Sequence, residues 1–430
     1  MDHLLNSDRR EFTTLRMVGL TCVVGGIQII WAILMGSTSL YLTSLGFSNA
    51  AMAMIWLMGP LSGTFVQPLM GVWSDSVTCR WGRRKPFVLG GTIGLLAGLM
   101  VLSEAEELAG LVGISSQVFA VVGVCTILLF VQPLQMGARA LIAEQSPPNL
   151  VAQTNAWASR WVGFGSVSGY LLGALNLGDS MKALYAIAAA LLILSVLITC
   201  WTIRKAPPPL TLDKSRPISA SGKISPAIQQ IFKVQLFAWM AWFPFLYYGS
   251  TYATEGDVLG TKASPFSRGS FGMFLFALVA LCFNLLLPQV LSCLDTTRGS
   301  GKKTQRRMPL VILWMIGQLS YSSTMLCASI VNGEDRILLV ALAGLNWSLT
   351  QWAPFTLINE HMLDDGLDAG LVMSLHNVAI SLPQILSALL TGCILWILRI
   401  LDVADELGIL LSLTAVPSLL AAYQASCILP

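Results

Sequence analysis

Charged residues are scarce in this sequence: Asp, Glu, Lys and Arg make up 11% of its 430 residues, against about 25% in a typical soluble protein. So few charges do not cover the surface of soluble domains. With 55% hydrophobic residues and a mean hydropathy of +0.71, lipid must be the solvent for most of the outside. The long apolar runs lack the alternation of barrel strands, so we expect helices that satisfy their own backbone within a bilayer.

The signatures of soluble enzymes are also missing. The sequence has no P-loop, no zinc-type spacing of Cys and His, and no nucleophile elbow. The missing P-loop argues against a pump driven by ATP. We therefore expect no enzymatic activity, no cofactor, no metal site and no nucleic-acid partner. The lipid bilayer is the expected environment.

Twelve apolar segments are long enough to cross a bilayer, which takes about 20 residues. They are residues 17–42, 50–73, 87–103, 117–143, 157–178, 181–203, 231–254, 268–294, 309–331, 336–358, 370–398 and 406–428. Pro417 interrupts the last segment. The chain is therefore predicted to be an all-α integral membrane protein with twelve transmembrane helices.

Lys and Arg are concentrated at the N-terminus and in the loops between spans 2 and 3, 6 and 7, and 8 and 9. Because short basic loops stay in the cytoplasm, both termini are predicted to be cytoplasmic. The longest loop, 204–230, is rich in Pro, Ser and Lys and is typical of a flexible linker. It divides the chain into an N-terminal six-helix bundle, 1–203, and a C-terminal one, 231–430. The alternative is twelve helices without internal symmetry.

Polar side chains within the spans are the strongest indicators of a site, since a central charge costs at least about 2.5 kcal/mol. In span 4, Gln132, Gln135 and Arg139 are spaced three and four residues apart and share one helix face. Two amides and a guanidinium suit a hydroxyl-rich ligand; alternatively, Arg139 forms a structural pair with Glu144 or another helix. The other residues predicted to bind substrate are Asn155, Tyr248, Tyr252, Asn346, Gln351 and Asn377.

Two sets of glycines recur at four-residue spacing and predict close helix packing. One set lies in span 3 and the other in span 5. They are Gly90, Gly94 and Gly98, and Gly165, Gly169 and Gly173.

The segment Gly71–Lys85, GVWSDSVTCRWGRRK, concentrates charge between two apolar spans. We interpret it as a cytoplasmic gating hairpin. In this interpretation its aspartate faces a neighbouring helix end or an arginine, and its arginines hold partners and lipid head groups. The residues assigned to the hairpin are Gly71, Asp75, Arg80, Gly82, Arg83 and Arg84.

An ordered set of motifs covers nearly the whole chain. GPLSGTFVQPLMGVWSD begins at Gly59 and is followed by WGRRKPF at Trp81. The later motifs are ARALIAEQ (138–145), NAWASR (155–160), WFPFLYY (242–248), WAPFTLINE (352–360) and HNVAISLPQ (376–384). The set resembles the sucrose/proton symporter (glycoside-cation symporter) family of the major facilitator superfamily, especially its fungal sucrose or α-glucoside permeases. The resemblance implies a major facilitator fold and proton-coupled transport of a disaccharide.

The sequence departs from this family at positions that usually carry acids. The family places an Asp eleven residues before the Arg that matches Arg139, and here that position is Leu128. Fungal relatives carry a Glu in the first span, where Leu34 stands here. A leucine binds no proton, so the candidates for proton coupling are Glu144, Glu255 and Glu360.

Three functions remain open at this point. The first is a proton-coupled carrier of sucrose or a related α-glucoside. The second is an uncoupled sugar facilitator, or a carrier of another small polar solute. The third is a sugar sensor that does not transport. We expect a monomer located in the plasma membrane rather than the vacuolar membrane.

Overall fold

The computed structural model describes residues 13–47, 49–147, 150–175, 181–203, 224–254, 265–294, 303–365 and 369–429. The elements before residue 204 are α1 (Thr14–Ile33), a π-helical turn (Leu34–Thr38), α2 (Ser39–Ser44), α3 (Asn49–Ser76), α4 (Lys85–Ser103), α5 (Ala105–Val112), α6 (Ser116–Gln145), α7 (Val151–Ala174) and α8 (Met181–Thr202). The later elements are α9 (Pro226–Thr254), α10 (Pro265–Leu294), α11 (Lys303–Leu326), α12 (Asp335–Leu342), α13 (Gly344–Asp365), α14 (Ala369–Ile400), α15 (Glu406–Leu413) and α16 (Ala415–Ser426).

Helical structure occupies each of the twelve predicted positions, with ends that differ by several residues. Exposed side chains on these helices are often large and apolar, for example Ile93 and Met100 on α4, as expected where lipid replaces water. Within the described ranges, six helical segments are long and apolar enough to cross a membrane on length and composition alone. They are Thr14–Thr38, Lys85–Ser103, Ser116–Gln145, Met181–Thr202, Leu375–Ile400 and Glu406–Ser426.

Several predicted spans are interrupted helices. The π-helical turn lies within the first span, and the tenth is divided at Ala343. The last is divided at Thr414, which places Pro417 in the first turn of α16, where its missing N–H needs no partner. Pro226 begins α9 inside the predicted linker, whose residues 204–223 lie outside the described ranges.

The predicted glycine ridge of span 5 packs against α1. A Cβ added at Gly165 would lie 2.5 Å from the Gly25 carbonyl oxygen, and one at Gly169 would lie 3.0 Å from the Ile29 oxygen. Only glycine allows these backbones to approach so closely. In span 3 the prediction was wrong at Gly90, which meets nothing within 4 Å. The contacts with α6 come instead from Gly91, Gly94 and Gly98.

The helices before residue 204 share a buried apolar core, built mainly by α1, α3, α4, α6 and α8. Helices from both sides of the predicted linker pack together along two seams, α3 against α14 and α7 against α10, with α13 also against α7. A Cβ at Gly163 on α7 would lie 2.8 Å from the Leu281 side chain on α10. Below, "first half" and "second half" mean the helices before and after residues 204–223.

Candidate functional site

A cavity of about 170 Å³ lies between the two halves. A single water needs about 10–15 Å³ by the same measure, so the space admits a small solute. The first half contributes α1, α3, α6 and α7 to its wall, and the second half contributes α9, α10, α13 and α14. Its polar lining residues are Gln28, Gln132, Gln135, Arg139, Ser166, Gln351, Asn377, Ser381 and Gln384.

The predicted polar face of α6 lines this cavity. Neighbouring helices hold its amides in place. The Gln132 Nε2 donates to the Ser62 Oγ at 3.0 Å, and the Trp31 indole donates to the Gln135 Oε1 at 3.4 Å. On α1, Gln28 donates to Ser166 at 3.0 Å. Among the hydrogen bonds of the described residues none uses the Gln135 NH₂ group, which leaves that donor for a ligand.

Arg139 presents a cation to the cavity. Its guanidinium carbon lies 4.4 Å from the centre of the Phe355 ring on α13, a cation–π distance. Arg139 forms no ion pair with a carboxylate of the described residues. The structural pair with Glu144 that we considered is therefore wrong, because Glu144 bonds Arg84 instead.

Aromatic side chains of the second half form the opposite wall. Trp239 and Trp347 meet edge to face with centroids 5.8 Å apart. Phe243 and Tyr247 meet in the same way at 4.2 Å. All four line the cavity, and the buried Trp239 indole N–H has no hydrogen-bond partner within the described ranges.

The structure brings together five of the predicted binding residues and leaves four elsewhere. The five on the cavity wall are Gln132, Gln135, Arg139, Gln351 and Asn377. Asn155, Tyr248, Tyr252 and Asn346 are not among its lining residues.

Tyr252 has a packing role. Its hydroxyl donates to the Ala328 carbonyl at 2.7 Å, and the Arg336 guanidinium lies over its ring at 4.5 Å. On the same helix, Tyr247 rather than Tyr248 faces the cavity. One helical residue is a rotation of about 100°, which is enough to move a side chain off the wall.

The two candidate proton-coupling carboxylates that the structure describes, Glu144 and Glu360, do not line the cavity. Glu144 accepts from Arg84 at 2.6 Å, and Glu360 accepts from Arg307 at 3.0 Å. Glu255 lies outside the described residues. None of the cavity-lining residues that the structure describes is an Asp or Glu, and Leu128 is part of the wall.

The hairpin Gly71–Lys85 is organised around Arg84, which is 2% exposed. Arg84 donates to Ser74 and Asp75 within the segment and to Glu144 on α6, with its Nη2 2.6 Å from the Glu144 Oε1. Burial lowers the pKa of Arg84, but Glu144 and Asp75 outweigh it and raise that pKa above its ordinary value. Asp75 therefore faces an arginine, one of the two alternatives predicted for it, and Arg84 holds protein partners. The guanidinium of Arg84 is enclosed, so the lipid head groups expected as its further contacts do not reach it.

Arg80 is exposed, and Asp75, Gly82 and Arg83 are partly exposed, whereas Gly71 is buried. Arg83 lies 3.5 Å from Glu144, and Arg80 lies over the ring of Trp81. Gly82 has a φ of +90°, which favours glycine at this turn. Gly71 accepts a hydrogen bond from Ser74.

Sequence analysis missed several wall residues. Gln28 had a usable signal, since an amide inside an apolar span is costly to bury. Trp31, Trp56 and Trp347 had none, because tryptophan in a span is equally typical of helix packing or an interface belt. Their place on the wall follows from packing between the halves.

Comparison with known proteins identifies the family of this fold. Residues 17–388 match the model described as Major Facilitator Superfamily. The chain belongs to this superfamily. Solved structures agree: an outward-facing bacterial homologue of the iron transporter ferroportin has a TM-score of 0.64 at 15% identity, covering 96% of this chain and 98% of that one. FucP, in its outward conformation, has a TM-score of 0.65 at 12% identity and covers 97% and 99%.

Sequence relatives of this major facilitator protein include sugar transporters. The general alpha-glucoside permease of Schizosaccharomyces pombe is 26% identical over 97% of this chain and 94% of its own. Sucrose transport protein SUT5 of Oryza sativa subsp. indica is 24% identical over 86% and 80%. Sucrose transport protein SUC3 of Arabidopsis thaliana is 21% identical over 87% and 81%.

Proposed function

We propose that this protein transports sucrose or a related α-glucoside through the cavity between its halves. One observation carries the proposal: amides and a guanidinium line one wall, and aromatic rings line the other. A sugar ring has C–H groups on its faces and hydroxyls around its edge. Such a ligand places a face on the aromatic wall and its hydroxyls on Gln132, Gln135 and Arg139.

The chemistry of the lining supports a neutral, hydroxyl-rich solute. Amide side chains both donate and accept, which matches hydroxyl groups. The described lining offers no carboxylate that would balance a cationic solute. The relatives named for α-glucosides and sucrose support the same substrate class.

Proton symport remains our prediction for the coupling. It requires a group that changes its proton occupancy during the cycle, and the candidates are Glu144, Glu255 and Glu360. A second candidate function is uncoupled equilibration of the sugar. Leu128 favours it, because this residue lines the cavity at the position where the sucrose/proton symporter family carries an acid.

We also propose the arrangement predicted from the sequence: bundles at 1–203 and 231–430, a cytoplasmic linker at 204–230 and cytoplasmic termini. The even number of helical positions supports termini on one side. A monomer in the plasma membrane completes the proposal.

Uptake of labelled sucrose by cells that lack sugar permeases tests these proposals. Accumulation above the external level that collapses with the proton gradient supports symport. Uptake that only equilibrates, whatever the gradient, supports the facilitator. A chain that reaches the membrane but moves neither sucrose nor another α-glucoside overturns the proposed function in favour of the sensor or another solute.

A further inference from the structure

Two side chains of the second half donate hydrogen bonds to backbone carbonyls of α3 in the first half. The Tyr247 hydroxyl on α9 donates to the Trp56 carbonyl at 3.5 Å, and the Asn377 amide on α14 donates to the Gly63 carbonyl at 3.0 Å. The two acceptors are about 10 Å apart along the helix. Both donors line the cavity.

Pro60 explains why the Trp56 carbonyl is available. In an α-helix the carbonyl of residue 56 accepts from the N–H of residue 60, and proline has no N–H. An unpaired carbonyl inside a membrane is costly, so it needs a donor from elsewhere. The hydroxyl of Tyr247, whose ring is held by Phe243, supplies one.

Gly63 explains how α14 reaches the second carbonyl. A Cβ at this position would lie 3.1 Å from the Asn377 Nδ2 and would overlap the Ser381 hydroxyl. Because glycine has no side chain, Asn377 reaches the backbone while it also donates to Ser381 at 3.2 Å.

These bonds lie two helical turns apart along α3. Trp56 is the nearer to Asn49, the end of α3 that is predicted to be external, and Gly63 lies at the middle of the helix, further toward Ser76. Its partner Asn377 lies near the start of α14 at Ala369, which is predicted to be the cytoplasmic end. Carriers of this superfamily rock their halves about a central site. We propose that the Tyr247–Trp56 bond is a gate on the external side and the Asn377–Gly63 bond is its counterpart on the cytoplasmic side. Opening either side breaks one bond and keeps the other.

A ligand in the cavity reaches both donors. Hydroxyls of a sugar offer Tyr247 and Asn377 replacement acceptors, which lowers the cost of breaking either bond. This last step rests on the proposed function. The two gates rest only on the contacts and on the superfamily, so the two ideas fail separately.

Access to the cavity measures the gates. The parent for this experiment is a variant in which every exposed cysteine is replaced by serine and Met35→Cys places one thiol on the cavity wall. A membrane-impermeant thiol reagent is added outside intact cells, and the rate at which it labels this thiol is measured. A hydrogen bond between membrane helices is worth about 0.6 kcal/mol, so Tyr247→Phe should raise the labelling rate about three-fold. The matched control is Tyr321→Phe, which removes a hydroxyl that donates to the Ala241 carbonyl at 3.0 Å within the second half. Its labelling should equal that of the parent.

Two further variants complete the test. Pro60→Ala restores the helical N–H, so it should raise labelling, and adding Tyr247→Phe to it should have little further effect. Asn377→Ala should lower labelling from outside and raise it in inside-out vesicles. Parental labelling in both Tyr247→Phe and Pro60→Ala, or an equal rise in Tyr321→Phe, overturns the gates. Labelling is also measured in saturating sucrose. If the gate variants behave as expected but sucrose changes no labelling rate, the two gates are upheld and the proposed sugar substrate is contradicted.

Discussion

The guanidinium of Arg139 on α6 lies 4.4 Å from the centre of the Phe355 ring on α13, which joins the two halves across the cavity. Arg139 is the only cationic side chain among the described residues of the cavity wall. One face of the Arg139 guanidinium therefore contacts Phe355 of the second half. Its N–H donors are available to a ligand in the cavity, which Arg139 lines.

Arg139→Ala should reduce sucrose uptake to background, because it removes the fork of donors and the charge together. Arg139→Lys should also transport poorly, since an ammonium group does not reproduce a planar fork.

Phe355→Leu removes the cation–π contact, worth up to about 2 kcal/mol when desolvated, and should weaken apparent sugar affinity by up to about 30-fold. Uptake kinetics at matched surface expression measure all three. Near-normal uptake by Arg139→Ala would remove this residue from the site.

The helices and the polar face of α6 were predictable because they depend on local periodicity. The pairing of Glu144 was not, although helix geometry explains it. Five residues separate it from Arg139, a rotation of about 500°, which puts the two side chains about 140° apart around α6. Glu144 therefore faces the hairpin and Arg84, a partner sixty residues away in sequence.

Contacts between helices account for the remaining differences between the residues predicted from the sequence and those that the structure places at the site and at the helix contacts. Span 7 has three tyrosines at 247, 248 and 252, and nothing in the local sequence indicates which of them faces the other half. The structure places Tyr247 on the wall because α9 packs Tyr252 against Ala328 and Arg336. The same holds for Gly90 and Gly91 on α4. The local sequence does not indicate which of two adjacent glycines faces α6, and the structure shows that Gly91 does.

Arg84→Gln should destabilise the fold, because the change leaves Asp75 and Glu144 close together without their shared cation. Removing one partner of a fully buried ion pair costs about 3–5 kcal/mol; since Asp75 and Glu144 are each 26% exposed, the loss here should be smaller than that. Thermal unfolding of the purified protein in detergent measures the effect. Arg80→Gln is the matched control: Arg80 is exposed, and its substitution should change stability by less than about 0.5 kcal/mol. Equal unfolding temperatures for the two variants would contradict the central position of Arg84.

Gly91→Ala and Gly90→Ala should have opposite effects. A Cβ at Gly91 would lie 2.6 Å from the Leu134 backbone nitrogen, so α4 and α6 must separate, and overpacking of this kind costs about 1–3 kcal/mol. A Cβ at Gly90 meets nothing within 4 Å. There, alanine should stabilise the helix by up to about 1 kcal/mol. Thermal unfolding of the two variants, one residue apart, compares them directly, and a loss of stability in both would refute the assigned helix faces.

Lys182 at the start of α8 joins two carboxylates at the end of the bundle that is predicted to be external. It donates to Glu104 at 2.7 Å and to Glu107. The hydrogen bond from Lys182 lowers the pKa of Glu107 below its ordinary value of 4.5. A carboxylate with a lowered pKa stabilises the folded state above its unfolded pKa, and that contribution is lost as the pH falls through the folded value.

Lys182→Gln should therefore lower the unfolding temperature by a constant amount between pH 6 and 8, and the difference should shrink once the pH falls below about 4.5. Thermal unfolding of both proteins across this range measures the difference. Glu106→Gln serves as the control, since this neighbouring glutamate accepts no hydrogen bond from Lys182 among the described contacts. A difference between Lys182→Gln and the parent that grew under acid conditions would mean that the lysine stabilises the fold by something other than its carboxylate partners.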